Sequence, residues 1–105
     1  MTLLLISNTP IVIQIFTLVC KKLGLEFVNK DDNEVEEKFD LIIIDKEFID
    51  DRFNIIKQFS QKLGAIASEE LPFEKARDFV IPRPFLPNQL QSILQEHMQI
   101  IKEEE

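Results

Sequence analysis

The sequence predicts an α/β domain built on a small parallel sheet, and three observations carry that expectation. Two short runs, Leu3 to Ile6 and Leu41 to Ile44, are apolar without interruption. This is the pattern of strands covered on both faces, which occur where helices sandwich a parallel sheet. Between them lies a punctuated helical segment, with Thr9 and Pro10 at its start and Gly24 just past its end. Strand-like and helix-like stretches then alternate to the end of the chain, as right-handed crossovers require.

Taken in order, Leu3 to Ile6 reads as a central first strand and Ile11 to Leu23 as the first helix. On that helix Gln14, Thr17 and Lys21 share one narrow polar stripe, while nine apolar residues cover most of the remaining surface. One sheet face cannot bury all of them, so the helix is expected to sit between the sheet and a neighbouring helix; the alternative is a protein interface. Leu25 to Val28 gives a second strand. A polar turn from Asn29 to Asn33 follows, then a short helix on which Val35 and Phe39 share a face.

The run Leu41 to Ile44 ends at Asp45, a carboxylate at the carboxyl edge of a central strand, where open α/β sheets place their ligand sites. Ile56, Phe59 and Leu63 are spaced as the inward face of another helix closed by Gly64, and Lys62-Leu63-Gly64 echoes Lys22-Leu23-Gly24. Ala65 to Ala67 reads as a weak strand leading to Ser68, and Pro72 to Phe79 as a short helix. Phe79 to Ile81 makes a strand cut off by Pro82, which places it at a sheet edge, since proline cannot donate to a ladder. A last helix runs from about Pro87, turning Leu90, Ile93, Leu94, His97 or Met98, and Ile101 inward.

A chain of 105 residues, 45% hydrophobic and 30% charged, fits one globular domain spanning 1–105, with 102–105 expected as a frayed acidic end. The net charge of −7 repels a phosphate backbone, so nucleic acid is not an expected partner. The apolar start lacks a basic leader and no run reaches the ~20 residues of a membrane span, which points to a cytoplasmic protein without membrane contact. Cys20 is the single cysteine, in an apolar helical pattern, and reads as a buried structural residue. His97 is the single histidine and has no placed chemical partner. Only Gly24 and Gly64 occur, too few for a glycine-rich phosphate loop.

The carboxyl strand ends collect Ser7 and Asn8, Asp45, Ser68, and Arg83-Pro84-Phe85. With the apolar strand ending in Asp45 and the basic-Pro-Phe turn after the last strand, this set resembles a degenerate response-regulator receiver domain, a pseudo-receiver. The resemblance implies a flavodoxin-like three-layer (βα)5 fold with a five-stranded parallel sheet in the order 2-1-3-4-5. It also implies a place in bacterial two-component signal transduction. It aligns Asp45 with the phosphoacceptor, Ser68 with the hydroxyl residue after strand four, and Arg83 with the lysine that contacts the phosphoryl oxygen.

Ser7 and Asn8 fall where the family holds Mg²⁺ with an acidic pair, and there the pattern breaks. Mg²⁺ takes hard oxygen ligands and is commonly held through carboxylates, so two neutral residues leave Asp45 as the one aligned acid, enough only for a weak site. Asp31 and Asp32 follow strand two at the same sheet edge, as acids that could compensate or simply as a solvated turn before a helix. Arg83, with its fixed fork of donors, is expected either to pair with Asp45 and fill the charge role of the metal or to lie in solvent while Asp45 caps the next loop. At ~4 Å and an effective dielectric near ~20, such a pair gains about 4 kcal/mol of Coulomb energy before desolvation is counted.

The leading expectation is therefore a non-enzymatic module without cofactors. It would act through a protein partner or as a homodimer, using the face formed by the fourth helix, fifth strand and fifth helix. Two alternatives remain: a receiver still phosphorylated on Asp45 with Mg²⁺, and a small-ligand sensor using the same sheet edge.

Overall fold

The computed structural model describes residues 1–32, 35–48, 56, 58–67, 78–82 and 86–104. Five strands, β1 (Thr2–Ile6), β2 (Glu26–Lys30), β3 (Phe39–Asp45), β4 (Ser60–Ala67) and β5 (Asp78–Pro82), form one sheet in the order β2-β1-β3-β4-β5, with every pair parallel. Two α-helices are described, α1 (Pro10–Leu23) and α2 (Pro87–Glu104), together with a 3-10 turn over Lys46–Phe48. The strand order is the one the resemblance implies, and β5, carrying Pro82, lies at an edge.

Alternation along the strands divides the core. Leu3, Leu5, Leu41 and Ile43 join Val12, Phe16, Val19 and Cys20 of α1 and Leu90, Leu94 and Ile101 of α2 on one face. Leu4, Ile6, Ile42 and Ile44 join Phe39, Ile56 and Leu63 on the other. All eight side chains of the two central runs are wholly shielded from solvent. Burying an aliphatic side chain of this size stabilises by roughly 1.5–3 kcal/mol, so these strands dominate the core. α1 packs against both the sheet and α2, as its broad apolar surface requires, and leaves Ile11 and Leu18 exposed.

α1 ends in a Schellman arrangement. Gly24 adopts a left-handed conformation (φ 72°), its N–H donates to the Lys21 carbonyl, and the Leu25 N–H donates to the Cys20 carbonyl at 2.9 Å. Leu25 and Cys20 lie in the same apolar cluster, completing the motif. Lys21 and Lys22 in the last turn complement the helix dipole. At the other end Thr9 occupies the N-cap position, but its side chain makes no capping hydrogen bond; Pro10 supplies the preset first turn.

Several sequence expectations are corrected. The short helix over Val35 and Phe39 is not formed: 35–38 are irregular, and Phe39 opens β3. The four-residue spacing reflects shared packing instead, since Val35 lies against the cluster containing Phe39. Pairing decides the outcome, because Asp40 accepts from the Thr2 N–H (2.9 Å) and from Gln61 Nε2 (3.2 Å), tying β3 to both neighbours at the amino edge. β2 begins at Glu26 and runs to Lys30, two residues beyond the expected end, as it tracks β1 from Thr2 to Ile6.

The helix closed by Gly64 is also wrong. Phe59 sits in a turn, and Leu63 and Gly64 are mid-strand in β4, opposite Ile42 and Ile43. The echo between Lys62-Leu63-Gly64 and Lys22-Leu23-Gly24 is therefore a coincidence of sequence, with only the first copy ending a helix. The strand expected over Ala65 to Ala67 is the end of β4. Residues 72–77 of the expected fourth helix lie outside the described residues, and Phe79 belongs to β5. α2 is described to Glu104, within the 102–105 end.

Gly24 tests the helix terminus cleanly, because a Cβ there would meet nothing within 4 Å and the cost falls on backbone conformation alone. Gly24→Ala should lower stability by about 1–2 kcal/mol. Urea unfolding is expected to show a lower midpoint with an unchanged slope.

Candidate functional site

The carboxyl ends of β1, β2 and β3 meet around Ser7 and Asp45, both fully buried. β3 carries Asp45 to this edge as its last residue, and Ser7 follows the end of β1. The Ser7 hydroxyl donates to Asp45 Oδ2 at 3.0 Å and accepts from the Thr9 N–H at 3.2 Å. One small side chain thus joins the end of β3 to the entry of α1. The Ser7 backbone N–H donates to the Lys30 carbonyl at 3.0 Å, closing β1 against β2.

Asn29 secures the same corner from β2. Its Nδ2 donates to the Leu5 carbonyl (3.1 Å) and the Ser7 carbonyl (3.2 Å), capping acceptors where the β1 ladder ends. An open cleft of about 450 Å³ beside these residues is lined by Ser7, Asn8, Ile13, Asn29, Lys30, Asp31 and Asp32. Asn8 is exposed on its rim, as are Asp31 and Asp32. Among the described residues, no three His, Cys, Asp or Glu side chains come together in a way that could hold a metal ion.

The structure thus brings together Ser7, Asn8 and Asp45, with Asp31 and Asp32 beside the first two. Ser68 and Arg83, and with Arg83 its expected pairing to Asp45, lie outside the described residues. Cys20 is fully buried and its thiol is pushed up to about 12 by burial, the behaviour of an inert core thiol. The Asn29 clamp was not foreseen, since a polar residue after an apolar strand reads as turn.

Lys62 was not foreseen either. Assigned to a helix end, it lies instead in β4, 3% exposed, on the face covered by α2. Its charge acts on His97 of α2: burial first, and Lys62 second, lower the His97 pKa, while Glu96 opposes them.

The sequence matches no protein-family model and no curated protein. Solved structures do match. A response regulator from Thermotoga maritima superposes with a TM-score of 0.71 at 18% identity, over 93% of this chain and 97% of that one. The chemotaxis response regulator CheY4 of Vibrio cholerae gives 0.70 at 18% identity, over 91% and 97%. The receiver domain of the sensor histidine kinase PA1611 from Pseudomonas aeruginosa, which holds a magnesium ion in its active-site cleft, gives 0.65 at 16% identity, over 93% and 97%.

This chain has the receiver fold. In the receiver fold the Ser7 and Asp45 corner lies at the carboxyl edge of the sheet, where β1 and β3 are neighbours. The described residues include no helix long and apolar enough to cross a membrane.

Two predictions follow from the geometry. Ser7→Ala removes the donor to a buried carboxylate and the acceptor for the Thr9 N–H; a loss of about 1–3 kcal/mol is expected from denaturant unfolding. The folded pKa of His97 lies below its ordinary 6.5, so the unfolded chain takes up this proton first as pH falls. The stability linked to His97 is therefore complete above about pH 6.5 and declines below it, and His97→Gln should flatten that part of the pH profile between pH 7.5 and 5.5.

Proposed function

We propose that this chain is a pseudo-receiver, a bacterial cytoplasmic signalling module that acts by protein contact and does not depend on Mg²⁺-supported phosphorylation. The observation that supports this most is the Ser7 to Asp45 hydrogen bond. A hydroxyl whose proton is given to Asp45 stands where a receiver presents an acid, and one of its two lone pairs is engaged by the Thr9 N–H. Asn8 adds a second neutral group, exposed on the rim. Mg²⁺ requires near-octahedral oxygen donors and gives up its hydration reluctantly, and this donor set, with one aligned carboxylate, does not fit it.

On this reading the remaining helices complete a flavodoxin-like (βα)5 arrangement. Arg83 neutralises Asp45, and the face of the fourth helix, fifth strand and fifth helix meets the protein partner. The acidic net charge and the absence of any clustered basic stretch argue against nucleic acid as that partner.

Incubation with a small phosphodonor and Mg²⁺, followed by intact-mass measurement, is expected to give no phosphoryl adduct. The Ser7→Asp/Asn8→Asp double variant is expected to gain Mg²⁺ binding, read from amide shifts in an NMR titration. A Mg²⁺-dependent adduct on the wild-type chain that disappears in Asp45→Asn would establish instead a working phosphoacceptor. That second reading draws on the position of Asp45 at the end of a central strand.

A further inference from the structure

The sheet has two edges of different character. β5 carries Pro82 at its end, and a proline discourages pairing. β2 holds no proline, and among the described residues no strand lies beyond it. The Glu26 N–H donates to the Met1 carbonyl and the Lys30 carbonyl accepts from the Ser7 N–H, so the even-numbered residues of β2 direct their backbone groups at β1. Because this direction alternates along a strand, Phe27 and Asn29 direct theirs outward.

The side chains alternate as well. Phe27 packs into the cluster beneath α1, which places Glu26, Val28 and Lys30 on the opposite face of the sheet. There Val28 is 40% exposed, a β-branched apolar residue in the middle of an edge strand, flanked two residues away by an acid and a base.

We propose that two copies of this chain associate edge to edge through β2, antiparallel about a two-fold axis at Val28, so that their sheets become continuous. In that register Phe27 of each copy pairs with Asn29 of the other. These are the residues with outward backbone groups, so they form the hydrogen-bonded pairs. Val28 then meets its own counterpart in a non-hydrogen-bonded pair, the arrangement in which side chains approach most closely, with Cα atoms about 4.5 Å apart.

Glu26 of each copy faces Lys30 of the other, giving two opposite-charge cross-strand pairs. The parallel register would instead set Glu26 against Glu26 and Lys30 against Lys30, which costs stability. The two-fold also brings the end of α1 bearing Lys21 and Lys22 in one copy to the end of β2 followed by Asp31 and Asp32 in the other. The interface is isologous, as a closed dimer requires. A five-residue edge is short, so the association is weak and concentration-dependent.

Sedimentation equilibrium from micromolar to millimolar protein, without Mg²⁺ or phosphodonor, tests this apart from any chemistry at Asp45. A monomer–dimer equilibrium that weakens with salt is expected. Glu26→Lys and Lys30→Glu should each weaken it about tenfold, since each turns two attractive cross-strand pairs repulsive. The double exchange should restore it. Val28→Glu, at an exposed position, should weaken it with an unchanged far-UV spectrum. A chain that stays monomeric throughout overturns the proposal. So does a dimer indifferent to these changes, which would place the interface on another face such as that of the fifth strand and last helix.

Discussion

The double burial of β1 and β3 is the constraint from which the rest follows. Leu3 to Ile6 and Leu41 to Ile44 have no exposed surface on either face, so both must lie in the interior of the sheet with cover above and below. The less apolar strands are left for the periphery, where β2 and β5 are found. α1 and α2 must share one face, because the odd-numbered residues of both central strands need a wide lid. Ser7 and Asp45 then arrive side by side for a simple reason: each follows or ends a run whose register the core has set.

That placement explains why the site corner is so compact. A buried carboxylate needs donors, and the hydroxyl directly across the ladder supplies one. The same hydroxyl receives the Thr9 N–H, the backbone group at the entry to α1, where the Thr9 side chain makes no capping bond. Asn29 caps the final carbonyls of β1, so this corner is held by the neutral side chains of Ser7 and Asn29.

Much of this was legible in the sequence where hydrophobic pattern and punctuation agree. The two apolar runs, the helix bounded by Pro10 and Gly24, the edge position of Pro82 and the inner side of the last helix all rest on strong local signals. The pairing of Ser7 and Asn8 with Asp45 at one corner came from the resemblance to receivers. The failures occurred where local spacing competed with tertiary pairing. Phe39 and Val35 are four apart but pack together across a strand start, and Ile56, Phe59 and Leu63 share a helical spacing that a turn interrupts. Gly64 shows the same limit: a glycine after Lys-Leu ends a helix at Gly24, yet here it lies flat between Ile43 and Phe79. Asn29 and Lys62 had no sequence signal, since their roles depend on which strand lies alongside.

Lys62 has a consequence for how this fold tolerates change. A lysine only 3% exposed, under a helix that also carries a half-buried imidazole, sets a cation within electrostatic reach of that ring in the seam between β4 and α2. Burial and this neighbour together disfavour the protonated ring in the folded chain. Acidification therefore draws on the stability of the fold through the seam beneath the C-terminal helix.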